Sequence, residues 1–240
     1  MNREEAVLRE LNLYPQWKLR GHAAPVQTAK ADEPAAVPAV SPRATEETSG
    51  RQNLSDLGWL ELKTMVRACT ACKLRAGCTQ TVFGVGDEKA DWLFVGEGPG
   101  ADEDAQGEPF VGQAGKLLDN MLAAIKLKRG NNVYIGNIVK CRPPGNRTPE
   151  ADEVATCLPY LQRQIELIQP KLIVALGKTA ATALLGRDAT LGSLRGQLHD
   201  YRNIPLLITY HPSYLLRTPL DKAKAWQDLC FAVETMKGLT

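Results

Sequence analysis

Residues 92–100 read Trp-Leu-Phe-Val-Gly-Glu-Gly-Pro-Gly, four apolar side chains running straight into a glycine-rich turn. A short unbroken apolar run bounded by turn residues reads as a strand buried on both faces. Three similar runs follow at Val133–Val139, Leu172–Leu176 and Pro205–Thr209. Stretches with helical spacing lie between and after them: Ala114–Lys126, Pro149–Ile168, Thr179–Leu185 and Lys222–Met236, with a further one ahead at Leu54–Ala68. Strands that alternate with helices predict an α/β fold of three layers, α/β/α, around a central, mostly parallel four-stranded sheet. In such sheets ligands bind just beyond the carboxyl ends of the strands, so the residues that follow each strand are the ones to inspect.

Composition agrees with a folded domain. The 240 residues are 44% hydrophobic and 23% charged, which excludes collagen-like, wholly disordered and coiled-coil chains. The strongest apolar run, Leu172–Gly177, is far short of the ~20 residues that span a bilayer. The leading MNREEAVLRE has no apolar signal core. No membrane association and a cytoplasmic location are therefore expected. A net charge of +2 is too small to mark a nucleic-acid binder by itself, so any such surface must come from local placement.

Three segments are predicted. Residues 1–22 hold Leu8, Leu11, Tyr14 and Trp17 and read as a short N-terminal helix or motif, either a fraying end or a docking site for a protein partner. Residues 23–53 read as a flexible Ala/Pro-rich linker, since Ala23–Ser49 has no Leu, Ile or aromatic residue to offset its ordering entropy. Residues 54–240 carry the functional domain.

After the first strand, Gly96–Gly100 looks like a phosphate turn, but Ala101 breaks the dinucleotide fingerprint and Pro99 lacks an N–H. A turn of this kind can instead press its backbone close to a planar ligand. The Gly177-Lys178-Thr179 triplet ends like a nucleotide-binding loop, yet the glycine required at position 172 is Leu172. After the second strand comes Asn137, whose carboxamide offers a donor and an acceptor to an amide-like edge. After the fourth comes His211-Pro212-Ser213-Tyr214-Leu215-Leu216-Arg217. Three strand ends thus offer polar groups to one rim.

The six cysteines are the other signal. In a reducing compartment they suggest metal rather than disulfides. Cys69 and Cys72 form C-x2-C; Cys141 follows a strand and Cys157 lies on the next helix. Four thiolates suit tetrahedral zinc or an iron–sulfur cluster, and their spacing leaves both open. Cys78 and Cys230 read as structural or free.

GEGPG followed by Glu103-Asp104, then Pro109-Phe110-Val111-Gly112, NIVKCRPP and HPSYLLR, together with C-x2-C, resembles the family 4 (iron–sulfur) uracil-DNA glycosylases from about Ala68 to the C-terminus. The resemblance implies a uracil-DNA glycosylase-like fold and hydrolysis of the N-glycosidic bond to a uracil flipped out of single- or double-stranded DNA. It implies a 4Fe–4S cluster on Cys69, Cys72, Cys141 and Cys157. It also implies a uracil site of Glu97, Gly98, Pro99, Phe110, Asn137 and His211, with Glu97 positioning water and His211 donating to uracil O2. Glu97 carries the water role because the Asp of other branches is Gly98 here; Glu103 or backbone alone are the other candidates. The expected DNA contacts are Leu215 as the wedge, shared with Tyr214 or Leu216, and Lys140, Arg142, Arg147 and Arg217 on phosphates. Uracil-containing DNA is thus the expected partner and a monomer the expected state. The alternative is a uracil-DNA-binding or cross-linking relative without turnover. That branch has a basic, His-containing insertion after NIVK, whereas Arg142–Pro149 is short and has no His.

Overall fold

Strands buried over their whole length need helices on both faces, and the computed structural model of the protein shows this arrangement. The structure describes residues 54–239; the expected N-terminal motif and linker lie outside them. In chain order the elements are α1 (Trp59–Arg67), α2 (Leu74–Gly77), β1 (Val85–Gly86), β2 (Trp92–Gly96), α3 (Ala101–Gln106), α4 (Gln113–Ala124), β3 (Val133–Asn137), α5 (Ala151–Ile168), β4 (Leu172–Leu176), α6 (Lys178–Leu185), α7 (Leu191–Leu194), β5 (His199–Tyr201), β6 (Ile204–Thr209), α8 (Pro212–Arg217) and α9 (Lys222–Lys237).

The sheet order is β1-β3-β2-β4-β6-β5. The four predicted strands form its parallel centre. The expected count of four is corrected to six, because β1 and β5 add short antiparallel edges. Alternation along the strands builds two cores. Leu93, Val95, Ile173, Ala175, Leu206 and Ile208 share one with Leu161 and Ile165 of α5 and Ala180 and Leu184 of α6. Trp92, Phe94, Val133, Ile135, Val174 and Leu207 share the other with Leu118 and Leu122 of α4 and Ala232 and Met236 of α9. No helix among the described residues is long and apolar enough to cross a membrane.

Register, more than strand number, places the polar groups at the strand ends. Gly96 pairs with Asn137, and Leu176 with Thr209. The parallel strands therefore finish level, and the turns after them open onto one rim. The chain passes from β2 to β3 on one side and then returns to β4 on the other. The rim beside β2 is thus the topological switch point, where such sheets leave a crevice.

Candidate active site

The turn after β2 is held by a single carboxylate. Glu103, in the first turn of α3, accepts the Gly100 N–H through Oε2 at 3.0 Å. Its Oε1 accepts the N–H groups of Val111 at 2.9 Å and Gly112 at 3.1 Å. One side chain thereby ties residues 97–100 to the loop that carries Phe110. Phe110 itself adopts a left-handed φ of 57°, a rare conformation for a bulky residue that only a rigid setting sustains. Arg129 supplies that setting, donating to the Pro109 and Phe110 carbonyls at 2.7 Å each. Gly115 leaves room for it, since a Cβ there would lie 1.8 Å from the Phe110 oxygen.

Gly96 decides the convergence. A Cβ at this position would fall 2.4 Å from Asn137 Oδ1 and 2.5 Å from Phe110 Cζ. The missing side chain lets an aromatic face and a carboxamide meet at the end of the sheet. Asn137 is buried, and its Oδ1 has no hydrogen-bond partner. Leaving such an acceptor unpaired costs about 1–3 kcal/mol. A ligand donor at that point would recover the cost.

His211 follows β6 and caps α8. Its Nδ1 accepts the Ser213 N–H at 3.2 Å and lies 2.8 Å from Ser213 Oγ. With Nδ1 engaged as acceptor, the ring proton of the neutral tautomer resides on Nε2. Burial, reinforced by the Arg217 cation and opposed by Glu103, holds the imidazole down at about 4. At neutral pH His211 is an uncharged N–H donor. Its ring centroid stands 5.5 Å from that of Phe110, with 31° between the planes. Glu97 is half-buried, and its carboxylate accepts a short hydrogen bond from Thr179 Oγ1, in the first turn of α6. Phe110, Asn137 and His211 line one pocket of about 500 Å³ together with Glu97, Gly98 and Pro99.

Two expected DNA contacts are corrected. Lys140 is 1% exposed, with its ammonium bonded to the Asn137 carbonyl and to Gln164, so it cannot reach a phosphate. Leu215, on a helix in contact with α4, is also 1% exposed, whereas Leu216 stands 43% exposed. A buried wedge cannot enter a base stack, and the apolar side chain that α8 presents outward is Leu216. Arg217 is exposed at the pocket edge. Arg142 is half-buried and donates to Asn146 Oδ1 at 2.7 Å. Arg147 forms a two-pronged pair with the buried Glu153 at 2.8 and 2.7 Å, and this guanidinium holds the Glu153 carboxyl at about 2. Sequence reasoning missed the supports: Gly96, Arg129, Thr179 and Ser213. The Gly100–Glu103 spacing of a capping box was the one legible signal for the pinning carboxylate.

Away from this pocket, Cys69, Cys72, Cys141 and Cys157 line a second cavity, walled by Val66, Leu74 and Tyr160. None of the six cysteines forms a disulfide. The Tyr160 hydroxyl donates to Cys69 Sγ at 3.3 Å, and the Lys140 N–H to Cys157 Sγ at 3.2 Å. Burial raises Cys157 to about 11, opposed by the Lys140 ammonium and backbone N–H and reinforced slightly by the Cys72 and Cys69 thiols. Among the described residues no group of three or more His, Cys, Asp or Glu side chains is placed to hold a metal ion. The four cysteines nonetheless line the same cavity. Of the remaining two, Cys78 sits against Arg75 and Cys141, and Cys230 is exposed.

Comparison with known proteins agrees with this fold and pocket. The model of the uracil DNA glycosylase superfamily matches residues 83–230, and the chain belongs to that superfamily. Among its relatives are three type-4 uracil-DNA glycosylases. That of Thermotoga maritima is 47% identical over 154 residues, 63% of this chain and 80% of the relative. That of Archaeoglobus fulgidus is 44% identical over 162 residues, covering 64% and 81%. That of Pyrobaculum aerophilum is 43% identical over 177 residues, covering 70% and 90%.

Proposed function

We infer that this protein is a uracil-DNA glycosylase of the type-4 kind, which releases uracil from DNA by hydrolysis and leaves an abasic site for repair. The observation that carries the reading is the meeting of Phe110, Asn137 and His211 in one pocket at the switch point of the sheet. A base inside a duplex cannot reach such a pocket, so the uracil must be flipped out, at a cost of a few kcal/mol.

In the pocket each group has one task. The Phe110 ring stacks on the flipped base. The Asn137 carboxamide reads its edge: the unpaired Oδ1 accepts from uracil N3–H and Nδ2 donates to O4. Cytosine reverses both and would leave buried polar atoms unpaired, a loss able to give 10⁴–10⁵-fold rejection, on the order of that seen at sites built to hydrogen-bond their substrate. As the bond to C1′ breaks, negative charge grows on the uracil. The neutral His211 Nε2–H, preorganised by Ser213, stabilises that charge at O2. Glu97, fixed by Thr179, holds the attacking water. Leu216 fills the vacated stack, while Arg217 and Arg142 meet phosphates.

The four cysteines fit a 4Fe–4S cluster. They are four soft donors lining one cavity, and the type-4 relatives favour the cluster over zinc. Cys69 and Cys72 before α2, Cys141 after β3 and Cys157 on α5 would hold such a group, which would tie these three segments together and so fix the loop after β3. The domain that performs the reaction is residues 54–240.

The test is incubation with an oligonucleotide that carries one uracil, with alkaline scission at abasic sites as the readout. Strand breaks at the uracil are expected; an intact strand would refute the function. Protein left covalently joined to the DNA in place of free uracil would point to the non-turnover relative.

A further inference from the structure

Lys140 stands out as a cation that neither reaches solvent nor lines the pocket at the sheet rim. Burying a lone ammonium costs several kcal/mol unless hydrogen bonds replace its water, and both replacements here are neutral oxygens. Nζ donates to the Asn137 main-chain carbonyl at 3.0 Å and to Gln164 Oε1 at 2.6 Å. Gln164 lies on α5, fully buried, and its Nε2 donates to the Phe83 carbonyl at 3.0 Å and the Tyr134 hydroxyl at 3.2 Å. The relay therefore runs from the last residue of β3 into a helix behind the sheet.

On the other side of the same strand end, the N–H groups of Ile138 and Val139 donate to the Gly96 and Glu97 carbonyls at 3.0 and 3.2 Å. Asn137 is thus gripped from the turn after β2 and, through Lys140, from α5. We propose that Lys140 is a positioning residue: with Gln164 it sets the strand end from which Asn137 reads the base, and it makes no contact with DNA. The proposal rests on the inferred uracil-releasing function, because only edge reading demands that a carboxamide be held to within about 0.5 Å. It does not depend on charge, since an uncharged amine also carries two donor hydrogens. Its backbone N–H serves a separate end, the Cys157 sulfur, and a side-chain substitution leaves that bond in place.

The test is a double-mutant cycle on single-turnover uracil release, using the full chain with its bound metal. Lys140→Met should slow release about 10²-fold, the scale of a 1 Å misplacement, with metal content per chain unchanged. In the Asn137→Ala background the same substitution should cost nothing further, because a residue that acts through Asn137 has nothing left to position. Should Lys140→Met fail to fold, Gln164→Met carries the same cycle, since it leaves the lysine in place and removes its rear anchor along with the bonds to Phe83 and Tyr134. An unchanged rate, losses that multiply with those of Asn137→Ala, or loss of metal in proportion to loss of activity would each overturn the proposal. A wild-type chain that releases no uracil would overturn the underlying function instead, so the wild-type arm tells the two failures apart.

Discussion

His211 combines an N-cap, a fixed tautomer and a depressed pKa, and these make separable demands at the scale of single residues. The folded imidazole titrates at about 4, below the ~6.5 of an unfolded chain. Between those values the unfolded state binds the extra proton. The contribution of this group to stability is therefore full above pH 6.5 and is lost as pH falls toward 4. The melting temperature should drop between pH 7 and 5, and the drop should shrink in His211→Asn, which keeps a capping side chain but cannot titrate. Equal pH slopes in the two proteins would contradict the assignment. Excision by the wild type should show no step near pH 6.5, and His211→Asn should lower its rate by about 10²–10³-fold, the cost of losing one preorganised donor. Asn137 and His211 could be singled out because each lies at a strand end, whereas Phe110 was reached only through the resemblance of its Pro-Phe-Val-Gly motif. Lys140 and Leu215 were misread because side-chain direction just after a strand or within a short helix depends on packing that the local sequence does not encode.

At the scale of elements, α8 shows how one residue of phase separates core from surface. Leu215 packs inward while its neighbour Leu216 stands exposed. Leu215→Ala should cost about 2–5 kcal/mol of stability, as for other buried leucines, and chemical denaturation would measure it. Leu216→Ala should leave stability unchanged. It should slow excision from duplex DNA more than from single strands, because only the duplex charges for unstacking a paired base. Equal losses on both substrates would remove Leu216 as the wedge. The central strands could be read from sequence since an unbroken apolar run has few other uses in a chain of this composition. The edges β1 and β5 could not, being two and three residues long and partly exposed. The short helices α3 and α8 fall outside the helical stretches read from sequence, α3 with an acidic Ala-Asp-Glu-Asp start and α8 behind His-Pro.

At the scale of the whole molecule, the sheet register brings the ends of four strands level and so builds the pocket, while cysteines of the loop after β3 and of α5 line a second cavity. Cys141 leaves that loop and Cys157 sits on α5, so Cys141→Ser should lower both iron content and melting temperature; a fully loaded, equally stable variant would exclude it as a ligand. The meeting of the two cysteine pairs could not be derived from their spacing, because it depends on how α5 crosses the sheet. The central claim concerns the other pocket, where ring, carboxamide and imidazole together choose one pyrimidine. Its most direct test is a single-turnover time course on a strand carrying uracil at one position and cytosine and thymine elsewhere, with wild type and Asn137→Asp compared at equal fold content by circular dichroism. The wild type should break the strand at uracil alone, and Asn137→Asp should be slower by at least about 10²-fold, the scale of a lost preorganised contact. Equal rates in the two proteins, or breaks at the other pyrimidines in the wild type, would contradict it.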